Sequence, residues 1–538
     1  MKKVYTLFLL AGMYFNPQAK AQTNYNNVAS IFYTHCTSCH HDGGVAPFSL
    51  MNFSETSSMS SSIQSAVSTG IMPPWHADTA YTTSGHKVPH MLHENTLTLV
   101  EKNAILKWIT DGVLEGDTTQ VPTAPRYGNM TFKLNGKPDL ILSIPTFHSN
   151  SSPSLTNPYD CFNIPTNLTQ DRWLRAFEIV PGNLKAVHHV VVSVDSTNTR
   201  ATDTSGNCAS QGGQFGVGGW TPGTPPVIFP SQAPLKTGIR IPKGSSFILQ
   251  LHYAPGSGGL IDSTKIRLFF YPENETGIRT MMANTLLQDW GPYVPGYGPT
   301  AMTAGSITTF KATSATSPLV AHPVQPTTDF SVFSVSPHSH KVCTKIKNYA
   351  YSGTDTIPLI NIPNWDFNWE GNYFFPNLIK VPAGYTLEAE HIYNNTVSNT
   401  HLGGAPVNTS WGQKTTDEML FDAFLYLDYQ PGDEYIDIKS MIENDTLLKV
   451  GIKEINAPSI QSFIYPNPAS DNVSIYLSKT STYKGRIFNI TGQTILNTET
   501  FNDKITVDVK NIPTGLYIIE ITDTKTNDRI TKKIIIQN

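Results

Sequence analysis

The sequence predicts a multidomain, mainly β chain with one small α-helical domain near its start, and three observations carry that expectation. At 538 residues the chain exceeds one ordinary domain and suggests about three or four units. Charged residues are only 14% of it, against roughly 25% in typical soluble domains, while Ser, Thr, Asn and Gly punctuate short alternating strands. A strand, Pro-x-Gly turn, strand unit at Ile239-Arg240-Ile241-Pro242-Lys243-Gly244-Ser245-Ser246-Phe247-Ile248-Leu249 returns as Ile379-Lys380-Val381-Pro382-Ala383-Gly384-Tyr385-Thr386-Leu387-Glu388-Ala389. That repeat predicts two tandem antiparallel β-sandwich (jelly-roll-like) subdomains of like construction, meeting near residue 287. The formal net charge of −4 implies neither nucleic acid nor an anionic membrane surface as partner.

Residues 1–21 read as a secretory signal peptide: Lys2 and Lys3, the apolar run Leu7 to Met13, then the small-x-small site Ala19-Lys20-Ala21. A membrane anchor would need about 20 apolar residues, and Asn16 and Pro17 interrupt this run.

Residues 22–116 open with Cys36-Thr37-Ser38-Cys39-His40. In a c-type haem site the two thiols add to the vinyl groups and the adjacent His binds iron, so this spacing has a covalent cause. A zinc site would need further ligands at suitable spacing, and a thioredoxin-like pair would need a βαβ context. Met72, in Gly70-Ile71-Met72-Pro73-Pro74-Trp75, is the expected sixth ligand; a thioether opposite His raises the potential and suits electron transfer. The alternatives are His76, His86, His90 or His93, with Met72 only packing. With Pro47-Phe48-Ser49-Leu50, Met72-Pro73-Pro74-Trp75-His76 and a closing helix through Ala104 to Ile109, the span resembles a small single-haem cytochrome c of the type fused to copper proteins.

After a polar linker at 117–137, the sandwiches are expected at 138–287 and 288–430. In Ala186-Val187-His188-His189-Val190-Val191-Val192, paired imidazoles open a β-branched run, which packing alone does not explain. His252 in Leu249-Gln250-Leu251-His252-Tyr253, the pair His338 and His340 around Ser339, and Met419 complete two sets of three donors. A His/His/His set and a His/His/Met set suit copper, because imidazole accommodates both oxidation states and thioether favours Cu(I). Residues i and i+2 on a strand share a face, so His338 and His340 form a natural chelate. His188 and His189 point apart on a regular strand and bind one metal only if the backbone is bulged or twisted; otherwise one is a buried, hydrogen-bonded histidine. Gln250 shares a face with His252 and is a candidate to orient it. The internal repeat sets His252 opposite Ile392, so the second set draws its third donor from elsewhere, and His391 reads as structural. Met419 has its own alternative as a core residue, on a face that continues into Phe421, Ala423 and Leu425.

Export places the remaining cysteines in an oxidising compartment. Cys161 is expected to pair with Cys208 across the His188-His189 strand, a connectivity that spacing does not fix, which leaves Cys343 expected as an unpaired, buried residue.

The order His-His, Leu-Gln-Leu-His-Tyr, His-Ser-His, Asp-Glu-Met, over roughly residues 138 to 430, resembles the copper type II, ascorbate-dependent monooxygenases, the family of peptidylglycine alpha-hydroxylating and dopamine beta-monooxygenases. The resemblance implies two copper ions. One, on His338, His340 and Met419, is the catalytic site where molecular oxygen meets a substrate C–H bond; the other, on His188, His189 and His252, stores an electron. It also implies an external electron donor, ascorbate or a redox protein, with the one covalently attached haem c as a relay within the chain. In the peptide-amidating member an Arg two residues before His-x-His, and an Asn and a Tyr two and four after the Met, hold the peptide carboxylate. Here those places are Ser336, Phe421 and Ala423, so a small or more apolar organic substrate is expected. The competing readings are a non-hydroxylating surface electron-transfer or copper-binding haem protein, and an adhesin that binds no metal.

A second linker is expected at 431–458. Residues 459–538, from Ile464-Tyr465-Pro466-Asn467-Pro468-Ala469 through Ile512-Pro513-Thr514-Gly515-Leu516-Tyr517 to Lys532-Lys533-Ile534-Ile535-Ile536, predict a small β-sandwich. It resembles the C-terminal sorting domain read by the type IX secretion machinery of Bacteroidota. That implies export by the Sec route to the periplasm, then secretion or surface attachment. A carbohydrate-binding or adhesive module is the alternative, and aromatic residues are few for a sugar platform.

Overall fold

The computed structural model describes residues 22–127, 133–155, 158–208, 213, 215–289, 301–313, 328–412, 414–448, 462–489, 492–525 and 529–537. The expected signal peptide lies outside them. The chain divides into two compact units, 1–448 and 449–538, and it is mainly β.

Four helices open the first unit: α1 Tyr25–His35, α2 Phe53–Ser58, α3 Ser60–Thr69 and α4 Leu99–Thr110. Thr98 and Glu101 form a capping box that starts α4, and Gly70, at φ +80, ends α3 in the left-handed conformation. Val28 and Phe32 of α1, Ile63 and Val67 of α3, and Ile105 and Trp108 of α4 make the core of this part. Residues between α3 and α4 leave that core. Ala77, Val88 and Met91 bury themselves in the second sandwich instead. The Asp78 N–H donates to Asn361 O (2.7 Å), the Leu92 N–H donates to Phe374 O (2.7 Å), and Trp75 meets Tyr373 edge-on at 5.3 Å between ring centroids.

The longer strands of the first sandwich are β1 Leu140–Ser143, β2 Tyr159–Pro165, β3 Arg172–Val180, β4 Val187–Asp195, β5 Phe215–Trp220, β6 Leu235–Ile241, β7 Ser246–Tyr253 and β8 Lys265–Phe270. One sheet runs β6-β3-β8-β1 and the other β2-β7-β4-β5. The second sandwich comprises β9 Met282–Asp289, β10 Ser306–Thr313, β11 Phe330–His338, β12 Cys343–Ser352, β13 Asp355–Ile362, β14 Tyr373–Val381, β15 Thr386–Asn395 and β16 Leu420–Asp428, in sheets β9-β16-β11-β14 and β10-β15-β12-β13. It therefore takes in Met282–Asp289, because that strand pairs with β16.

The repeated Pro-x-Gly turns do the same work in both halves: each carries the chain from one sheet to the other, β6 to β7 and β14 to β15. Gly244 and Gly384 sit at φ +68 and +81, a conformation that penalises a Cβ. Phe229 and Phe333 meet at 6.0 Å between the halves, with Phe333 against Phe374 at 5.6 Å.

Residues 431–448, expected as the start of a linker, fold back onto the sandwiches. Arg279 grips Asp433 through both nitrogens (2.6 and 2.7 Å), and Arg175 grips Asp445 (2.7 and 2.9 Å). The Arg279–Asp433 pair is forked, which adds geometric specificity as well as energy; Arg175 reaches both Asp445 oxygens through one nitrogen, and α5 Ile438–Glu443 buries Ile438 and Ile442.

The second unit is one five-stranded antiparallel sheet: β17 Ser462–Tyr465, β18 Asn472–Asn489, β19 Thr494–Asp508, β20 Gly515–Asp523 and β21 Arg529–Ile536, in order β17-β18-β20-β21 with β19 also on β18. The predicted alternation holds, with Val473, Ile475, Ile519, Ile521, Ile534 and Ile536 turned into its core.

Candidate metal centre

His189 of β4 stands directly opposite His252 of β7, and the next rung joins Val187 to Tyr253. His188 is thus the extra residue of a β-bulge, the local irregularity that adjacent ligating histidines require. Ring centroids are 5.4 Å (His188–His189), 4.9 Å (His188–His252) and 4.7 Å (His189–His252) apart, and one nitrogen from each ring lies within 4.8 Å of the others. Nδ1 of His188 and Nδ1 of His189 are 3.3 Å apart. Among the described residues, both nitrogens of His252 are buried without a hydrogen-bond partner. Burial pushes all three imidazoles down, His189 to about 3 and His252 well below its ordinary value, so they are neutral, the form that binds metal.

Tyr159 backs this cluster, stacked on His252 at 4.3 Å and 9°. Two residues along the same strand, Cys161 forms the expected disulfide with Cys208 (Cα–Cα 5.8 Å), tying β2 to the segment that follows β4. Gln250 lies between Cys161 and Val191 in the sheet. It is half-buried, and among the described residues it makes no hydrogen bond to the three histidines.

His338 ends β11 and Met419 immediately precedes β16, so the second set lies at one end of two neighbouring strands. The intervening residues lace it. Glu418 accepts from the backbone N–H of His340 (3.0 Å), Val342 (2.5 Å) and Met419 (3.3 Å), and the Ser339 hydroxyl donates to Met419 O (2.6 Å). His340 Nδ1 bonds Asp417 O (3.0 Å), which leaves its Nε2 buried and unpartnered. The His338 and His340 rings stand 5.2 Å apart at 89°. Burial pushes His340 down to about 3 and Glu418 up to about 7. Met419 is half-buried against the second core. Asp422 takes the His338 N–H (3.2 Å), Asn348 (2.7 Å) and His391 Nε2 (3.1 Å), so His391 is bound inside the fold. Cys343 is free and buried. At the positions of the absent carboxylate clamp, Ser336 faces Ala423 and Phe421 faces His338.

Two residues with no ligand spacing complete the arrangement, both from the 363–372 connection between β13 and β14. Glu370 places Oε2 3.0 Å from His338 Nδ1 and 3.5 Å from His189 Nδ1, while its Oε1 is buried and unpartnered. The His189 and His338 rings are 6.2 Å apart, so the two sets adjoin. Burial alone would raise the Glu370 carboxyl, but the charge and hydrogen bond of His338 outweigh it and hold it at about 2. His338, which burial would lower, is raised by the same carboxylate. Phe367 stacks on His188 (5.5 Å, 23°) and stands edge-on to His340 (5.7 Å, 90°). The Thr221 hydroxyl donates to Glu370 O (2.7 Å), and Trp369 lies so close to Gly223 that a Cβ there would come within 2.6 Å of the indole. A Trp- and acid-rich loop with no matching repeat was the available signal, and it does not specify a ligand.

In the helical part, Cys36, Cys39 and His40 form one helical turn after α1, with the amides of Cys39 and His40 donating to Cys36 O (3.1 and 2.9 Å). His40 Nδ1 bonds Phe48 O (3.2 Å), which fixes the ring and reserves Nε2 for a metal. Both thiols are free and half-buried, and burial pushes the Cys36 thiol up to about 12. These residues fit the proximal side of a c-type haem. Met72 follows α3 and is 38% exposed, its amide bonded to Ala66 O (3.2 Å). Of the alternatives, His86 pairs with Asp355 and His90 with Glu94, His76 is half-buried near Asp366 and His401, and His93 is exposed near Lys133.

Among curated proteins, an endo-acting ulvan lyase of Formosa agariphila is 35% identical over 75 residues, which is 14% of this chain and 14% of the lyase. Similar solved structures include PorZ, a surface component of the type IX secretion system of Porphyromonas gingivalis (15% identity, 23% of this chain and 14% of that one, TM-score 0.14). They also include an immunoglobulin-like β-sandwich protein of the DUF3244 family from Bacteroides vulgatus (17% identity, 14% of this chain and 95% of that one, TM-score 0.11). At such TM-scores neither bears on the fold of the whole chain. Residues 463–537 match the family model for the secretion system C-terminal sorting domain, and the last unit of this chain is a type IX secretion sorting domain that directs it to the cell surface or the medium.

Proposed function

We propose that the first unit is a copper-dependent monooxygenase that hydroxylates a C–H bond of a small or apolar organic substrate with molecular oxygen. The observation that carries this reading is the adjoining pair of donor sets, three histidines on one sandwich and His338, His340 and Met419 on the other, with buried ring nitrogens of His252 and His340 left unpartnered among the described residues. Copper in these sets, with a haem on Cys36, Cys39 and His40, would supply the one-electron transfers and oxygen activation that hydroxylation requires. The chain's own residues set the rest. Glu418 and Asp422 hold His338 and His340 by their backbone amides, and the Asp417 carbonyl presents His340 through Nε2. Phe421, facing His338, offers an apolar contact where the peptide-amidating relatives place a polar one.

One observation favours the second reading, a surface electron-transfer protein without turnover: Phe367 and Glu370 occupy the space flanked by the two sets. The deciding experiment is metal and haem content of the protein matured in an exporting host, followed by ¹⁸O₂ turnover with an apolar substrate panel. Two coppers, one haem and a labelled hydroxylated product, lost in Met419→Ala, support the monooxygenase. Oxygen reduction that yields only peroxide or water from every substrate moves the assignment to electron transfer.

A further inference from the structure

Glu370 has more bonding capacity than its neighbours use. Its side chain is 10% exposed and reaches between the two sets, with Oε2 3.0 Å from His338 Nδ1. If the carboxylate served only to orient His338, that one bond would account for it. Two observations go unexplained by that role. Oε1 is buried and has no hydrogen-bond partner among the described residues, in a protein interior where such an atom is costly. His189 Nδ1 is approached at 3.5 Å by Glu370 Oε2 and at 3.3 Å by His188 Nδ1, and one ring nitrogen cannot satisfy two such neighbours with a single proton. A cation on the three histidines, whose ring nitrogens lie within 4.8 Å of one another, would relieve His188 and His189, and a turn of the Glu370 carboxylate, which stands just outside that group, would bring it into reach as well. The position is also held from behind, by the Thr221 hydroxyl on the Glu370 carbonyl and by Trp369 against Gly223.

We propose that Glu370 is a fourth ligand for the metal of His188, His189 and His252, and that through the His338 Nδ1–H it also joins that metal site to the second one. The proposal rests on the copper reading above. A carboxylate donor is harder than imidazole and carries charge, so it favours Cu(II) over Cu(I) at the three-histidine site. That bias makes this site the more reducing of the two, as an electron store requires. The contact to His338 adds a carboxylate–histidine link of the kind that fixes a ligand's tautomer and ring orientation.

The test uses the full-length protein with His340→Ala as background, so that copper bound at the three histidines is read alone, and Glu370→Gln as the probe. Glutamine keeps the size and the acceptor for His338 but loses the anionic donor. The expected result is that Cu(II) affinity falls at least about tenfold with little change for Cu(I), a shift of about +59 mV for a one-electron couple, and that the parallel hyperfine splitting of the Cu(II) signal changes. Unchanged Cu(II) affinity and spectrum would overturn the assignment and leave Glu370 as a positioning residue for His338. A second measurement needs no variant at Glu370: in protein labelled with [¹³C]glutamate, pulsed EPR of Cu(II) at the three histidines should show a carboxylate ¹³C coupling, and its absence refutes the ligand. Failure of the background protein to bind copper there defeats the underlying copper reading, and is separable because it appears before Glu370 is altered.

Discussion

His189 and His252 are direct cross-strand partners, and the rung beyond them skips His188. The bulge brings three imidazoles together and leaves both nitrogens of buried His252 without a protein partner. An unpaired buried polar group costs about 1–3 kcal/mol, a cost that a metal ion relieves and an apolar side chain of similar size avoids. His252→Leu should therefore be more stable than the parent in chelator by about 1–3 kcal/mol, and should bind one fewer metal equivalent. Thermal unfolding with and without metal, beside elemental analysis, reads both; a less stable apo variant would show that His252 is held by the protein alone.

Met419 separates packing from ligation. It is half-buried against the second core, and its backbone is fixed by Ser339 and Tyr393 on its carbonyl. Leucine conserves volume, so Met419→Leu should cost less than about 1.5 kcal/mol. It should nevertheless weaken Cu(I) binding at His338 and His340, because the soft thioether donor is gone. Competition with a Cu(I) chelator is the measurement, and equal affinity in parent and variant returns Met419 to the core.

Legibility followed locality. The Pro-x-Gly repeat foretold two sandwiches, because the same turn carries the same change of sheet, and strand alternation foretold that adjacent His188 and His189 would need a bulge. The HxH pair stood out by its spacing, whereas Met419 was singled out only by the resemblance to the copper monooxygenases. Glu370 was not: it meets His338 across 32 residues of sequence and His189 from the other sandwich, so no spacing rule reaches it. Asp433 and Asp445 looked like solvated linker residues for the same reason, since their partners Arg279 and Arg175 lie 154 and 270 residues away. The stretch around Val88 and Met91 followed a haem motif in sequence but found its apolar partners in the second sandwich.

The Cys161–Cys208 bridge should matter for metal as well as for stability. It anchors β2, and Tyr159 on that strand backs the His252 ring. Replacing both cysteines by alanine should cost about 2–4 kcal/mol and weaken metal binding at the three histidines, while leaving the His340 site unchanged. Metal titration of the double variant under oxidising conditions checks this. Equal loss at both sites would indicate general loosening of the unit instead.

Asp160, the neighbour of Cys161, gives the pH dependence a definite sign. Its Oδ1 accepts from Asn150 (3.2 Å) and from the Gly206 N–H (3.1 Å), but Oδ2 is buried without a partner. Burial pushes the carboxyl up from 3.8 to about 6. The folded state thus holds the proton more tightly than the unfolded chain does. Its contribution to stability is complete below about pH 4, declines as pH rises through about 6, and is flat above. The difference between the two ends is on the order of 2–3 kcal/mol. Asp160→Asn removes the titration, so the stability of the variant relative to the parent should rise between pH 4 and pH 6.5. Urea unfolding of the two proteins across that window measures it. Parallel pH profiles would mean that the Asp160 carboxyl is already ionised in the fold at pH 4.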